Sequence, residues 1–254
     1  MDSIERSVER VIEAMHENLG ENFTVDDMAR IAIFSKFHFS RVFRDTTGVS
    51  PGRFLSALRL QAAKHLLVST SLSVADISIQ VGYASVGTFS SRFKSSVGVA
   101  PSVYRATGGV TPRRQPPSTG GGKRSSTVRG ELRPGENGPG GPAFVGLFPD
   151  VIPQGRPAQC TILPRPGRFV LENAPEGMWH VLAYSFGPDR HDGADVRRGA
   201  ASAPSIGGYG PIVIGPDTAT VEANVQLRSA RPLDPPVLLA PLDADAAVLN
   251  AIAS

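Results

Sequence analysis

Two twelve-residue stretches of this 254-residue chain follow one pattern. SRVFRDTTGVSP runs from Ser40 to Pro51, and SSRFKSSVGVAP runs from Ser90 to Pro101. Phe43 and Phe93, Gly48 and Gly98, Val49 and Val99, and Pro51 and Pro101 are each 50 positions apart. A repeat at that period is one supersecondary unit built twice. Each copy closes a longer pattern, VDDMARIAIFSKFHFSRVFRDTTG and VADISIQVGYASVGTFSSRFKSSVG, with apolar residues at helical spacing on both sides of a turn. The first predicts a short helix over Val25 to about Ile31 and a second from near Ser35 to before Gly48. Ala29 is small where two helices must cross, and Met28, Phe39 and Phe43 face inward. In the second copy Val74, Ile77 and Val81 form the apolar face, and Phe89 and Phe93 take the inward positions. Gly82 suits the left-handed residue of the turn. One extra residue in that turn shifts the offset from 49 to 50.

Flanking signals fit the same plan. Ile4, Val8, Val11, Ile12, Met15 and Leu19 predict an amphipathic helix ended by Gly20. Thr24 is placed to cap the next one, with Asp26 and Asp27 in its first turn. Between the copies, Ser50 is placed as a cap and Pro51 opens a long helix through GRFLSALRLQAAKHLLVST. Such a rod is roughly 27 Å long. A B-DNA major groove is ~12 Å wide and accepts an α-helix, and successive groove faces on one side lie about 34 Å apart. Two copies joined by the rod therefore match two adjacent turns of a duplex.

Charge points to the same partner. Net charge is +3, yet Arg30 to Arg105 holds ten Lys/Arg against two Asp/Glu. The first 29 residues hold two against eight, and the stretch from Gly141 onward eight against eleven. A basic block beside acidic surroundings indicates a polyanion at one place. The single Cys160 excludes an intramolecular disulfide and fits a reducing compartment. No apolar run approaches a membrane span and the N-terminus has no signal-peptide pattern, so a cytoplasmic protein with no membrane partner is expected.

The stretch from MARIAIFSKFHFSRVFRDTTG through FSSRFKSSVGVAPSVYR resembles the paired helix–turn–helix domain of the AraC/XylS family of bacterial transcription regulators. SRxFR…GxSPxxF, RLxxAxxLL, ADISxxVGY and FxxRFK…GxxPxxYR occur in the family's order and spacing, over about Phe23 to Arg105. The resemblance implies promoter DNA binding by two tandem units. Lys36, Phe37, Ser40, Arg41 and Arg44 fall on the first recognition helix's face away from Phe39 and Phe43. Ser40 and Arg41 match family positions that contact base edges, and arginine suits bidentate contact with guanine O6 and N7. Phe37 is suited to a thymine methyl, Lys36 and Arg44 to phosphate. On the second helix Val86, Gly87, Thr88 and Ser91 take the outer face, with Lys94 behind. Many family members have arginine where Ser91 stands; here it is one place later, at Arg92. Specificity is therefore expected chiefly from the first unit.

Near Thr107 the composition changes. Residues 107–126, TGGVTPRRQPPSTGGGKRSS, read as a flexible basic linker. Beyond it the period becomes alternating. TVRGEL, AFVGLF, QCTILP, RFVLEN, WHVLAYSF, PIVIG, TVEANVQL and PVLLA predict short strands of a β-sandwich or barrel, and Asp243–Ala253 a short helix. VRGELRPGENGPGGPAFVGLF and GRFVLENAPEGMWHVLAYSFG resemble the transthyretin-like sandwich called the carboxypeptidase regulatory-like domain, chiefly in Gly167 to Val181.

No catalytic or metal constellation is evident. Cys160 sits in a strand-like run as a small apolar residue. Of Trp179 and His180, alternation turns one outward. His191 and Asp192 fall in a polar loop. Trp179, Tyr184, Phe186 and Tyr209 are candidates for a ligand pocket or for plain core.

The sequence thus predicts an all-α tandem helix–turn–helix domain over 1–106, the linker over 107–126 and an all-β sandwich over 127–254. The function expected is sequence-specific transcription regulation without catalysis, metal or cofactor. Promoter duplex is the expected partner, with RNA polymerase and a small-molecule effector as candidates for the β domain. An architectural DNA binder and a DNA-targeted enzyme with activity in the β domain are the alternatives. Specific DNA binding is expected to survive deletion from Ser126 onward.

Overall fold

The computed structural model describes residues 3–109, 126–135, 141–185 and 205–239, and the chain divides into two units. The described part of the first holds residues 3–109 together with Ile152–Gly155 and 231–239. Most of the linker, His191, Asp192, Phe186 and the Asp243–Ala253 helix lie outside the described residues.

In the first unit, α1 (Ser3–Glu17) buries Val8, Val11, Ile12 and Met15, the inward positions of its helical spacing. Thr24 caps α2 (Val25–Ala32) reciprocally with Asp27. The Thr24 amide donates to Asp27 Oδ2 at 2.9 Å and the Asp27 amide to Thr24 Oγ1 at 3.3 Å. Ser35 caps α3 (Lys36–Thr47), which ends at Gly48 with φ of 79°. Pro51 opens the long α4 (Pro51–Ser69), about 28 Å of helix. Ser50 stands at its N-cap position as expected, but its side chain makes no capping bond. The second copy follows as α5 (Val74–Gln80) and α6 (Val86–Val97), then α7 (Pro101–Ala106). Ser73 and Asp76 reproduce the Thr24–Asp27 box at an offset of 49.

The duplication reaches into the core. Phe39, Phe43 and Phe54 stack edge to face with ring centroids 5.5 Å apart. Fifty residues on, Phe89, Phe93 and Tyr104 form the same chain with spacings of 5.6 Å. All six are buried. Each pins its second helix against the helix that follows. The second core is not closed by the helices alone: Leu238, fully buried, belongs to the cluster of Ile77, Phe89, Phe93, Val97 and Tyr104. PVLLA is thus not a strand in its described part, Pro236 to Leu239. A short apolar run bounded by prolines fits a strand, but its partner is a helical core, so no ladder forms.

The second unit is all β. β1 (Ser126–Arg133), β4 (Arg168–Ala174), β7 (Thr220–Glu222) and β8 (Val225–Gln226) form one sheet. β3 (Gln159–Leu163), β2 (Ala143–Phe148), β5 (Gly177–Ser185), β6 (Ser205–Ile214) and β9 (Arg228–Ser229) form the other, in that order. Both sheets contribute to one core, with Val128, Leu132, Phe169 and Leu171 from the first and Val145, Leu147, Val181 and Ile212 from the second. A short turn at Pro175 and Glu176 follows β4, with Gly177 at φ of 138°. It joins β4 of one sheet to β5 of the other instead of closing a hairpin. Trp179 and His180 do not alternate in and out. A bulge against β6 lies between Trp179 and Val181, and both residues are half-buried.

Candidate nucleic-acid interface

The helix–turn–helix needs a sharp reversal between its two helices, and the two copies make it with different residues. Ile33 takes the left-handed conformation, φ 59°, after α2. Gly82 does so after α5, φ 81°. A Cβ at Gly82 would lie 2.3 Å from the Leu19 carbonyl oxygen and 2.7 Å from the Arg59 guanidinium. Arg59 Nε donates to that carbonyl at 2.9 Å, and its Nη2 to the Glu21 carbonyl at 2.7 Å. Gly82 is therefore required by conformation and by space.

Beyond the turn, the Ser35 hydroxyl accepts the His38 amide and the Ser85 hydroxyl the Thr88 amide, at 3.4 and 3.2 Å. Counting from these caps, an offset of 50 relates α3 and α6 residue by residue. Lys36 pairs with Val86, Phe37 with Gly87, His38 with Thr88, Ser40 with Ser90, Arg41 with Ser91 and Arg44 with Lys94. Phe39 and Phe43, like Phe89 and Phe93, are fully buried and fix which face points out.

On α3, Lys36, Phe37, Arg41 and Arg44 are exposed and Ser40 is half-buried. Phe37 is 88% exposed, an unusual place for an aromatic ring with no packing role. The Ser40 hydroxyl donates to the Lys36 carbonyl at 2.9 Å. Lys36 Nζ lies 2.7 Å from Asp26 Oδ2, a pair exposed on both sides. Exposed pairs contribute little, so a phosphate can replace the carboxylate at small cost. Arg41 Nη2 approaches His38 Nδ1 at 3.5 Å. His38 was not among the sequence candidates, and its exposed place beside Arg41 puts it on the same face.

On α6, Val86, Gly87, Thr88, Ser91 and Lys94 are all exposed. A Cβ at Gly87 would meet nothing within 4 Å, so packing does not demand glycine there. Arg92, the displaced arginine, is also exposed, whereas its counterpart Val42 is buried. Phe37, Arg41 and Arg44 thus give way to Gly87, Ser91 and Lys94. The first surface is aromatic and cationic, the second small and less charged.

The basic block is thinner than its sequence count. Burial lowers the pKa of Arg59 below its ordinary value, opposed by Tyr83, and its hydrogen bonds hold the loop after α1. Lys64 is buried. Arg105 Nε donates to the Leu67 carbonyl at 3.1 Å, in the last turn of α4. Arg30, Lys36, Arg41, Arg44, Arg53, Arg92 and Lys94 remain on the surface. Counting charges along the chain could not separate these roles, because burial depends on the crossing of α4 with its neighbours.

In the second unit Cys160 is half-buried on β3. Trp179 packs partly against the sheet core while its Nε1 donates to the Pro175 carbonyl at 2.8 Å. Tyr209 is 45% exposed. Among the described residues no group of three or more His, Cys, Asp or Glu is placed to hold a metal, and no helix is long and apolar enough to cross a membrane.

Residues 28–107 match a family described as a helix-turn-helix domain. The chain is 35% identical over 88 residues to the HTH-type transcriptional activator AarP of Providencia stuartii, covering 35% of this chain and 65% of that one. It is 39% identical over 95 residues to the RCS-specific HTH-type transcriptional activator RclR of Escherichia coli, covering 37% of this chain and 34% of that one. Among solved structures, the DNA-binding domain of the global transcriptional factor AdpA in complex with a target DNA is 30% identical. That likeness covers 42% of this chain and 93% of that chain, with a TM-score of 0.38. The chain thus spans about one third to two thirds of these two curated relatives, and the likeness lies in the helical part.

Proposed function

We propose that this protein is a sequence-specific DNA-binding transcription regulator of the AraC type. The observation that carries this reading is the pair of equivalent helices α3 and α6. Each is capped by serine, anchored by two buried phenylalanines and exposed on the face opposite them. Each enters a major-groove segment of a promoter, and α4 spaces them. Arg41 reads guanine and Phe37 a thymine methyl, while Lys36, Arg44 and Lys94 contact phosphate and fix register. Ser40 and Ser91 make shorter polar contacts. Val86, Gly87 and Thr88 let α6 lie close to the groove floor, so the second unit adds affinity and the first most of the sequence preference. The reaction is an equilibrium of binding with no bond chemistry.

The β unit, in this proposal a transthyretin-like sandwich, modulates DNA binding through a small effector or recruits RNA polymerase. Selection from random duplexes with the full-length chain tests the reading. Enrichment of a site with two elements about 10 bp apart supports it. Salt-sensitive binding without enrichment sinks it in favour of an architectural role.

A further inference from the structure

The second helix–turn–helix is built from three places in the sequence, two of them far from it. Leu238 lies in the core of Phe89, Phe93, Val97 and Tyr104. Its amide donates to the Pro153 carbonyl at 3.1 Å, tying residues 231–239 to the loop Ile152–Gly155, whose Ile152 is also buried. The Gly155 amide then donates to the Ser96 carbonyl at 2.6 Å. Ser96 is in the last turn of α6, where carbonyls have no partner within the helix. Gly155 has φ of 72°, and a Cβ there would lie 2.9 Å from the Ser95 carbonyl oxygen. Glycine is what lets this loop approach the helix end.

Both helix ends are closed by a glycine amide, Gly48 to the Arg44 carbonyl at 2.8 Å and Gly98 to the Lys94 carbonyl at 3.0 Å, and the first copy adds a side-chain tie of its own there. The Thr47 hydroxyl donates to the Phe43 carbonyl at 2.8 Å and accepts the Val49 amide at 3.4 Å. Fifty residues on, the position is Val97, which has no hydroxyl and is buried in the cluster that includes Leu238. Where the first copy has the Thr47 hydroxyl, the second has an apolar contact at Val97, and its last turn takes an amide from a distant loop on another carbonyl, that of Ser96.

We infer that Leu238 and Gly155 are positioning residues for α6. They set how firmly the second recognition helix is held, and so the affinity for the second DNA element. This rests on the DNA-binding reading above. The DNA-facing residues of α6 stay unchanged in any variant of Leu238 or Gly155, so an effect on the second element alone has to pass through the helix.

The test uses the full-length chain and the two-element duplex recovered by selection. Leu238→Ala and the milder Gly155→Ala are compared with Ile12→Ala, a core substitution in α1. Leu238→Ala is expected to weaken binding about tenfold. Footprint protection should fade at the second element while the first stays covered, and α6 amides should exchange faster while α3 amides stay as in wild type. Gly155→Ala should do the same more weakly. Ile12→Ala should lower thermal stability without singling out the second element. Equal loss at both elements, no loss at either, or the same pattern from Ile12→Ala would overturn the inference. A wild-type chain that enriches no duplex defeats the DNA-binding reading. A wild type that binds, with protection unchanged in Leu238→Ala, defeats this inference alone.

Discussion

The two helix–turn–helix copies share their interior and their caps and differ in the turn and on the outer face. Both have an aromatic chain of three rings, a reciprocal cap on the first helix and a serine cap on the second. They differ in the turn, Ile33 against Gly82; on the outer face, Phe37 and Arg41 against Gly87 and Ser91; and at the helix end, Thr47 against Val97. The lesson is one of constraint. Ring packing within a dense core tolerates little change, so it keeps the repeat visible. Outer faces and turns have several physical solutions, and each copy uses its own.

The comparison can be broken most forcefully at the rings. Phe43→Ala and Phe93→Ala should each destabilise the chain by about 3–5 kcal/mol in urea denaturation. A difference of more than about 2 kcal/mol between them would show that the two cores are not equivalent supports. The turns should separate more clearly. Gly82→Ala must accept a left-handed alanine and displace both the Leu19 carbonyl and the Arg59 guanidinium, and should cost at least about 2 kcal/mol. Ile33→Gly, at an exposed left-handed position, should stabilise by about 1 kcal/mol; a loss there would mean the isoleucine packs in a way its 80% exposure does not suggest.

On the DNA side, Arg41→Ala should relax preference at one base position by about 1–3 kcal/mol, read by selection on randomised duplexes. Lys94→Ala should instead weaken all sequences alike and reduce the salt slope by about one unit. A uniform loss from Arg41→Ala would move that arginine to phosphate. The smallest effect concerns Asp27. Its carboxyl is held below the ordinary value of 3.8 by the Thr24 hydroxyl first, then the Thr24 amide, with Arg30 adding. A lowered folded pKa means the contribution is complete above the unfolded value and is lost as pH falls through the folded one. The stability gap between wild type and Asp27→Asn should therefore narrow below about pH 4, and a gap independent of pH would remove the charge from the cap's role.

Much of the helical part was legible because its signals are local. Helical spacing, Thr24, Gly48, Gly82 and Gly98 fix where helices start and stop, and the repeat fixes which faces correspond. The outward placement of Lys36, Phe37, Arg41, Arg44 and Thr88 followed from the buried phenylalanines. What escaped was set by distant partners. PVLLA is short and apolar, and such a run looks alike whether it joins a ladder or fills a hole between helices. Arg59 and Arg105 count toward the basic block in the sequence because nothing beside them names the carbonyls they bind. The bulge at Trp179 and the passage of β4 into the other sheet depend on pairing registers that alternation alone does not encode.

The burial of Leu238 among α-helices also gives the molecule an order in time. A ribosome releases the chain from its N-terminus, and the first helix–turn–helix has all of its ring chain and its Thr47 tie once α4 has emerged. The second has its helices soon afterwards, yet the leucine that fills its core is still more than a hundred residues from being made. At about 5–20 residues per second, that interval is on the order of ten seconds. During it, one recognition helix is finished and its twin has an open seat.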